Sequence, residues 1–204
     1  MICWDTVYSD TRKRGILKRI NEKIDYDTYI EWQKDRAISK WGININTNMR
    51  RIKEFSEIWD LVKDNFNNDI KVICLGIKNG FDYLEFKKLF TNVYGVDICN
   101  EVKQVGDNCY CCDFNFLPKE WGGKFDLVYS NSIDHAFNIK QTIKEWRRIT
   151  KKGGYLMIMF SKVDFSSTDI YSFEINDVKK LFINDDVKII KELENEFCVL
   201  VRKK

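Results

Sequence analysis

The chain has 204 residues, 44% hydrophobic and 32% charged, the profile of an ordinary globular protein of one large or two small domains. A net charge of +3 is too mild to demand a nucleic-acid partner, and a single proline leaves no proline-rich linker. No apolar run approaches the roughly 18 residues of a spanning helix and no signal-peptide core opens the chain, which points to a soluble, cytoplasmic protein.

In chain order, residues 1–24 begin polar and basic (Thr11 to Gly15) and then carry a short helical pattern, Ile16 to Ile20. Tyr26, Tyr29, Ile30, Gln33 and Ala37 recur at helical spacing, with Asp25 or Asp27 able to cap the start. A second helix starts after Thr47, where Met49, Ile52, Phe55, Trp59 and Val62 form an apolar stripe. Neither helix is long enough to stand alone, so both are expected to pack on the domain C-terminal to them.

From Ile70 the pattern alternates. Strands are predicted over 70–75, 92–97, 108–113, 125–130 and 155–160, with helices near 80–90 and 138–150 and a turn at Lys151 to Gly154. After a helix near 174–182, strands 187–193 and 196–202 are separated by too few residues for a parallel crossover and must form an antiparallel hairpin. The expected fold is α/β: a Rossmann-like, doubly wound, mostly parallel seven-stranded sheet closed by a C-terminal hairpin, with an N-terminal helical cap. Residues 1–66 are assigned to the cap and 67–204 to the α/β domain.

Seven cysteines without a secretion signal are read as free thiols. Cys109 and Cys112 have C-x-x-C spacing, but two further ligands are missing, and Asn108 to Asp113 fits a buried strand better than a metal site. No metal is expected.

The first strand stops at Gly76 and a helix starts near Gly80, which sets backbone N–H groups and a helix N-terminus above the strand end. Glycines here free the backbone for a sharp turn and a close ligand, although a tight strand-to-helix turn uses them for structural reasons too. Asp97 ends the next strand 21 residues after Gly76, where a carboxylate can accept both hydroxyls of a ribose; its alternative role is to cap the following helix. Asp113 and Phe114 end the third strand, positioned for the amino group and ring face of an adenine, or else as a loop carboxylate beside a core ring. The fourth strand opens into Asn131-Ser-Ile-Asp-His135. His135 is the sole histidine and the natural candidate general base, with Asp134 as the second candidate. The polar loop Ser161 to Tyr171 would overhang the same cleft.

Taken together, Phe125 to Ala136, then Ile143-Lys-Glu-Trp-Arg-Arg-Ile149 with its E-x-x-R pattern, then Lys152-Gly-Gly-Tyr155, resemble the small, single-domain, type-11-like class I S-adenosylmethionine-dependent methyltransferases. The resemblance covers about residues 70–160. It implies S-adenosylmethionine as cofactor, bound by Gly76, Gly80, Asp97, Asp113, Phe114 and Asn131. The family's first motif is an acidic residue followed by x-G-x-G-x-G; here Cys74 and Lys78 replace the acid and the middle glycine. A subgroup carries L-G-x-R-x-G-x-E, which Leu75 to Asp82 resembles, so Lys78 would meet the methionine carboxylate and Asp82 its ammonium. The stretch Tyr29 to Lys34 is similar to the cap helices such enzymes fold over the cofactor.

The implied reaction is in-line methyl transfer to a hydroxyl of a small molecule or glycan sugar, with His135 or Asp134 removing the proton. A nucleic-acid methyltransferase is the second reading; Asn131-Ser-Ile-Asp lacks that class's N/D-P-P-Y/F motif, and the basic patch at Arg12 to Arg14 is small. The third is a non-catalytic binding module, for which Cys74 and Lys78 are the evidence. An NAD enzyme is disfavoured because the loop lacks the glycine pattern that cradles a pyrophosphate.

Overall fold

The computed structural model describes residues 25–39, 49–163 and 171–204. The expected segments at 11–20, and most of the loop between Ser161 and Tyr171, lie outside the described residues.

Alternation builds the core. In β1 (Val72–Leu75), every side chain is buried, with Ile73 and Leu75 facing one layer and Val72 and Cys74 the other. That is the signature of a strand covered on both faces, and it places β1 in the middle of the sheet. Its neighbours are β2 (Val93–Asp97) and β4 (Phe125–Ser130), both parallel to it. With β3 (Cys109–Cys111), β5 (Thr150–Ser161), β6 (Asp186–Glu192) and β7 (Glu196–Arg202), the order is β3-β2-β1-β4-β5-β7-β6. Strand β7 pairs antiparallel with both β5 and β6, so the parallel sheet closes with the expected hairpin.

On one face lie α1 (Tyr26–Ser39), α4 (Ile139–Ile149) and α5 (Ile175–Leu181), contributing Tyr29, Ile143, Trp146 and Val178 to one cluster. On the other, α2 (Met49–Val62) and α3 (Phe81–Leu89) contribute Phe55, Ile58, Val62, Tyr83 and Phe86. Asp25 starts α1 by accepting the Thr28 N–H at 2.9 Å. No helix among the described residues is long and apolar enough to cross a membrane.

Two local expectations differ from the structure. Lys151 to Gly154 is not a turn between elements but part of β5, which runs from Thr150. Gly153 has φ +76°, and its N–H donates to the Lys203 carbonyl at 3.0 Å while Lys203 N–H donates to Gly154 at 2.9 Å. The glycine thus makes a bulge inside the sheet, with a register shift against β4 between Phe125 and Leu127. Strand β3 is three residues long and only Cys109 of it is buried, because it sits at the sheet edge with a single neighbour.

Candidate active site

The strand order reverses between β1 and β4: β2 and β3 lie to one side and β5 to the other. Loops leaving the carboxyl ends of strands part there, and open α/β sheets bind ligands in that crevice. A cavity of about 380 Å³ opens at this point, lined by the loops after β1, β2, β3 and β4 and by one face of α1.

The loop after β1 is shaped by three left-handed residues: Gly76 at φ +74°, Lys78 at +49° and Gly80 at +92°. Gly76 has a steric reason as well. A Cβ there would lie 2.6 Å from Cβ of Ser132. Ser132 in turn donates to the Gly76 carbonyl at 3.1 Å, and Ser130 donates to the Leu75 carbonyl at 2.9 Å, so the exit of β4 is fastened onto the exit of β1. Lys78 occupies the position of the middle glycine in a glycine-rich loop and takes up the backbone conformation a glycine would supply. Cys74, at the acidic position, is fully buried, and burial pushes its thiol well above the ordinary value; it serves as a neutral apolar side chain.

Asp97 is buried at the end of β2. Its Oδ2 accepts the Lys78 N–H at 2.6 Å, and its Oδ1 accepts the Cys99 N–H at 3.3 Å and thiol at 3.1 Å. The carboxylate therefore ties the glycine loop to the β2 exit while still lining the cavity. At the start of α3, Asp82 is also buried, accepting the Tyr129 hydroxyl at 3.1 Å and the Asn131 amide at 3.0 Å.

After β3, Asp113 accepts the Asn115 backbone N–H at 2.8 Å and its side-chain amide at 2.7 Å. Burial nonetheless outweighs these bonds and raises the Asp113 carboxyl above the usual carboxylate range. Phe114 is set from below by Trp146, whose ring meets it edge-on at 5.5 Å and whose Nε1–H donates to the Phe114 carbonyl at 3.0 Å. The E-x-x-R pattern acquires a role here. Glu145 accepts the Leu117 N–H at 2.8 Å, and Arg148, paired with Glu145 at 2.7 Å, donates to the carbonyls of Leu117, Pro118 and Lys119. Helix α4 thereby holds down the loop that carries Asp113 and Phe114.

The structure brings Gly76, Lys78, Asp82, Asp97, Asp113, Phe114, Asn131 and His135 to the wall of this cavity. Gly80 and Asp134 are not among its lining residues. Gly80 caps the N-terminus of α3, where a Cβ would collide with Val105, and Asp134 is buried in the 3₁₀ turn Ile133–His135. Sequence reasoning missed Arg36, Ser132, Ile98 and Asn115, all of which line the cavity. Among the described residues no group of three or more His, Cys, Asp or Glu is placed to share a metal ion. Burial pushes the Cys109 and Cys112 thiols up to about 11 each, so both stay protonated near neutrality.

The methyltransferase-domain family model matches residues 73–158, from β1 through most of β5. No curated protein matches the chain significantly by sequence. Among solved structures, the 1,6-didemethyltoxoflavin N1-methyltransferase of Burkholderia thailandensis, with 1,6-didemethyltoxoflavin and S-adenosylhomocysteine bound, superposes with a TM-score of 0.69. It is 13% identical over 90% of this chain and 92% of that one. The magnesium protoporphyrin IX methyltransferase of Synechocystis, with S-adenosylmethionine bound, gives 0.64 at 15% identity over 90% and 100%. An S-adenosylmethionine-dependent methyltransferase from Aquifex aeolicus gives 0.56 at 18% over 74% and 96%. Identities this low establish a shared fold, and the family match assigns the domain over the residues it covers. Residues 73–158 thus carry a methyltransferase domain, in a fold shared with S-adenosylmethionine-dependent methyltransferases.

Proposed function

We propose that the protein is an S-adenosylmethionine-dependent methyltransferase that methylates a hydroxyl of a small molecule or glycan sugar, in the cavity above the ends of β1 to β4. The observation that carries the reading is the convergence there of acids, a lysine, an aromatic ring and the sole histidine from four separate strand exits, under α1. In this reading residues 1–66 act as a cap on a catalytic unit of 67–204, and the protein works in the cytoplasm.

The side chains fit the cofactor. Asp97 would hold the ribose hydroxyls, and Asp113 the adenine amino group, with Phe114 against the base. Lys78 would take the methionine carboxylate, and Asp82, with Asn131 bonded to it, the ammonium. Gly76 keeps the turn close enough for backbone contact, and Gly80 starts the helix behind it. Bound there, S-adenosylmethionine supplies a methyl group activated by its sulfonium. The protein's task is alignment and exclusion of water, for which the helix α1 wall is suited. His135, at the cavity wall, takes the hydroxyl proton, with buried Asp134 beside it in the same turn.

A cavity of about 380 Å³ falls within the range of small-molecule sites. The retained loop shape at Lys78 favours a working donor site over a binding module that has lost it.

The test is calorimetry with S-adenosylmethionine, followed by transfer of a labelled methyl group to a panel of hydroxylated metabolites and sugars. Binding, with transfer abolished in His135→Ala and affinity kept within a few-fold, is the expected result. Folded protein that binds no S-adenosylmethionine overturns the reading, and label appearing in RNA overturns its acceptor class.

A further inference from the structure

Helix α1 does more than wall the cavity. The Tyr29 hydroxyl donates to the backbone carbonyl of His135, 106 positions away in the chain, and accepts from Gln33 Nε2 at 2.8 Å. Tyr29 is almost fully buried, its ring packed against Phe137 and Trp32. The other end of the same turn is held by the His135 N–H, which donates to the Ser132 carbonyl at 3.1 Å. Both backbone polar groups of His135 are thus engaged, one by the β4 exit and one by α1. With N–H and C=O fixed, the direction of the Cα–Cβ bond, and hence where the imidazole can reach, is fixed too.

We propose that Tyr29 is a positioning residue for His135, with Gln33 orienting the Tyr29 hydroxyl. The inference rests on the reading of His135 as the proton acceptor, and it adds a coupling. Ile30, Gln33, Arg36 and Ala37 of α1 line the cavity, so the seating of one helix sets both the cavity wall and the placement of the base. A helix that docks loosely would leave the base misplaced, and a cofactor filling the cavity would steady both together.

The chain contains one histidine, so its imidazole Cε1–H resonance is assigned without further variants. The experiment records that resonance in the full-length protein, alone and saturated with S-adenosylhomocysteine, for wild type, Tyr29→Phe and Gln33→Leu. Calorimetry with the same ligand runs alongside. Tyr29→Phe keeps the ring and removes the hydroxyl, and with it the bonds to the His135 carbonyl and to Gln33. The expected result is a displaced or broadened His135 signal in Tyr29→Phe already without ligand, with a smaller change of the same sign in Gln33→Leu. A His135 signal in Tyr29→Phe that coincides with wild type in both states overturns the proposal. So does a loss of ligand affinity with the His135 signal unmoved, which would make Tyr29 a donor-site residue instead. If Tyr29→Phe fails to fold, Gln33→Leu decides by the same criteria. The ligand-free comparison does not depend on cofactor binding, so failure of the functional reading and failure of this coupling are read separately.

Discussion

The Lys78 backbone N–H donates to Oδ2 of Asp97 at 2.6 Å, and it can do so because Lys78 sits at φ +49°. A left-handed backbone costs a non-glycine residue about 1–2 kcal/mol, so the lysine is kept there against a local preference. Replacing it separates shape from charge. Lys78→Gly removes the strain but adds unfolded-state entropy of about 0.5–1 kcal/mol, leaving stability equal or up to about 1 kcal/mol higher. Lys78→Ala keeps the Cβ and leaves stability near wild type. Both should weaken S-adenosylmethionine binding by roughly tenfold or more, the value of a charge-assisted bond, as measured by calorimetry. Unchanged affinity in both would mean that the side chain has no part in holding the methionine end.

Gly76 and Ser132 meet closely where the β1 and β4 exits come together. Gly76→Ala meets both a left-handed φ and a Cβ at 2.6 Å from Ser132, so a stability loss of about 2–4 kcal/mol is expected in urea unfolding. Ser132→Gly placed in that background should recover the steric part and leave the conformational part, about 1–2 kcal/mol. Strictly additive effects would show that the two positions do not press on each other.

Glu145 holds the loop after β3 through the Leu117 N–H and through Arg148, whose bond keeps the Glu145 carboxyl below the usual carboxylate range. Glu145→Ala strands that N–H and loosens Arg148, and a loss of roughly 1–2 kcal/mol is expected. Because the folded pKa is depressed, the ionised group's contribution is present above its ordinary value of 4.5 and fades as pH falls through the lower folded value. The gap in melting temperature between wild type and Glu145→Ala should therefore narrow on acidification below about pH 4.5 and stay constant above it.

The sheet was legible because its strands are short apolar runs between turn residues, and a parallel strand covered on both faces leaves that pattern wherever it occurs. The glycine loop and the strand-end acids were legible for a related reason: each lies at a fixed offset from a strand. Other features depend on pairing between distant segments. Ser132 matters only because Leu75 pairs with Ser130, which carries the β4 exit onto Gly76. The E-x-x-R pattern was visible, but its target loop lies about 30 positions upstream and carries no matching signal. Arg36 and the Tyr29–His135 bond were hidden because α1 mixes polar and apolar residues around its circumference, and among its residues of described burial only Tyr29 is buried. The Lys151–Gly154 bulge reads as a turn because two glycines look alike in a turn and in a kinked strand.

Asp113 offers the sharpest reading of the adenine end. Burial raises its folded pKa above the ordinary 3.8, so the folded protein binds a proton more readily than the unfolded chain. The stability this contributes is full below about pH 3.8 and is lost as pH rises through the folded value. Asp113→Asn is neutral at every pH and keeps a carbonyl oxygen to accept from an amino group. The variant should therefore melt higher than wild type at neutral pH, with the advantage shrinking towards pH 4. Cofactor binding runs the other way. An adenine amino group donating to the carboxylate favours its ionised form, so wild-type affinity for S-adenosylhomocysteine should climb with pH across the titration of Asp113, with proton release on binding. Affinity of Asp113→Asn should show no such climb. Parallel pH profiles for the two proteins would mean that Asp113 does not face the amino group, and the adenine would then have to be read by Phe114 and neighbouring backbone alone.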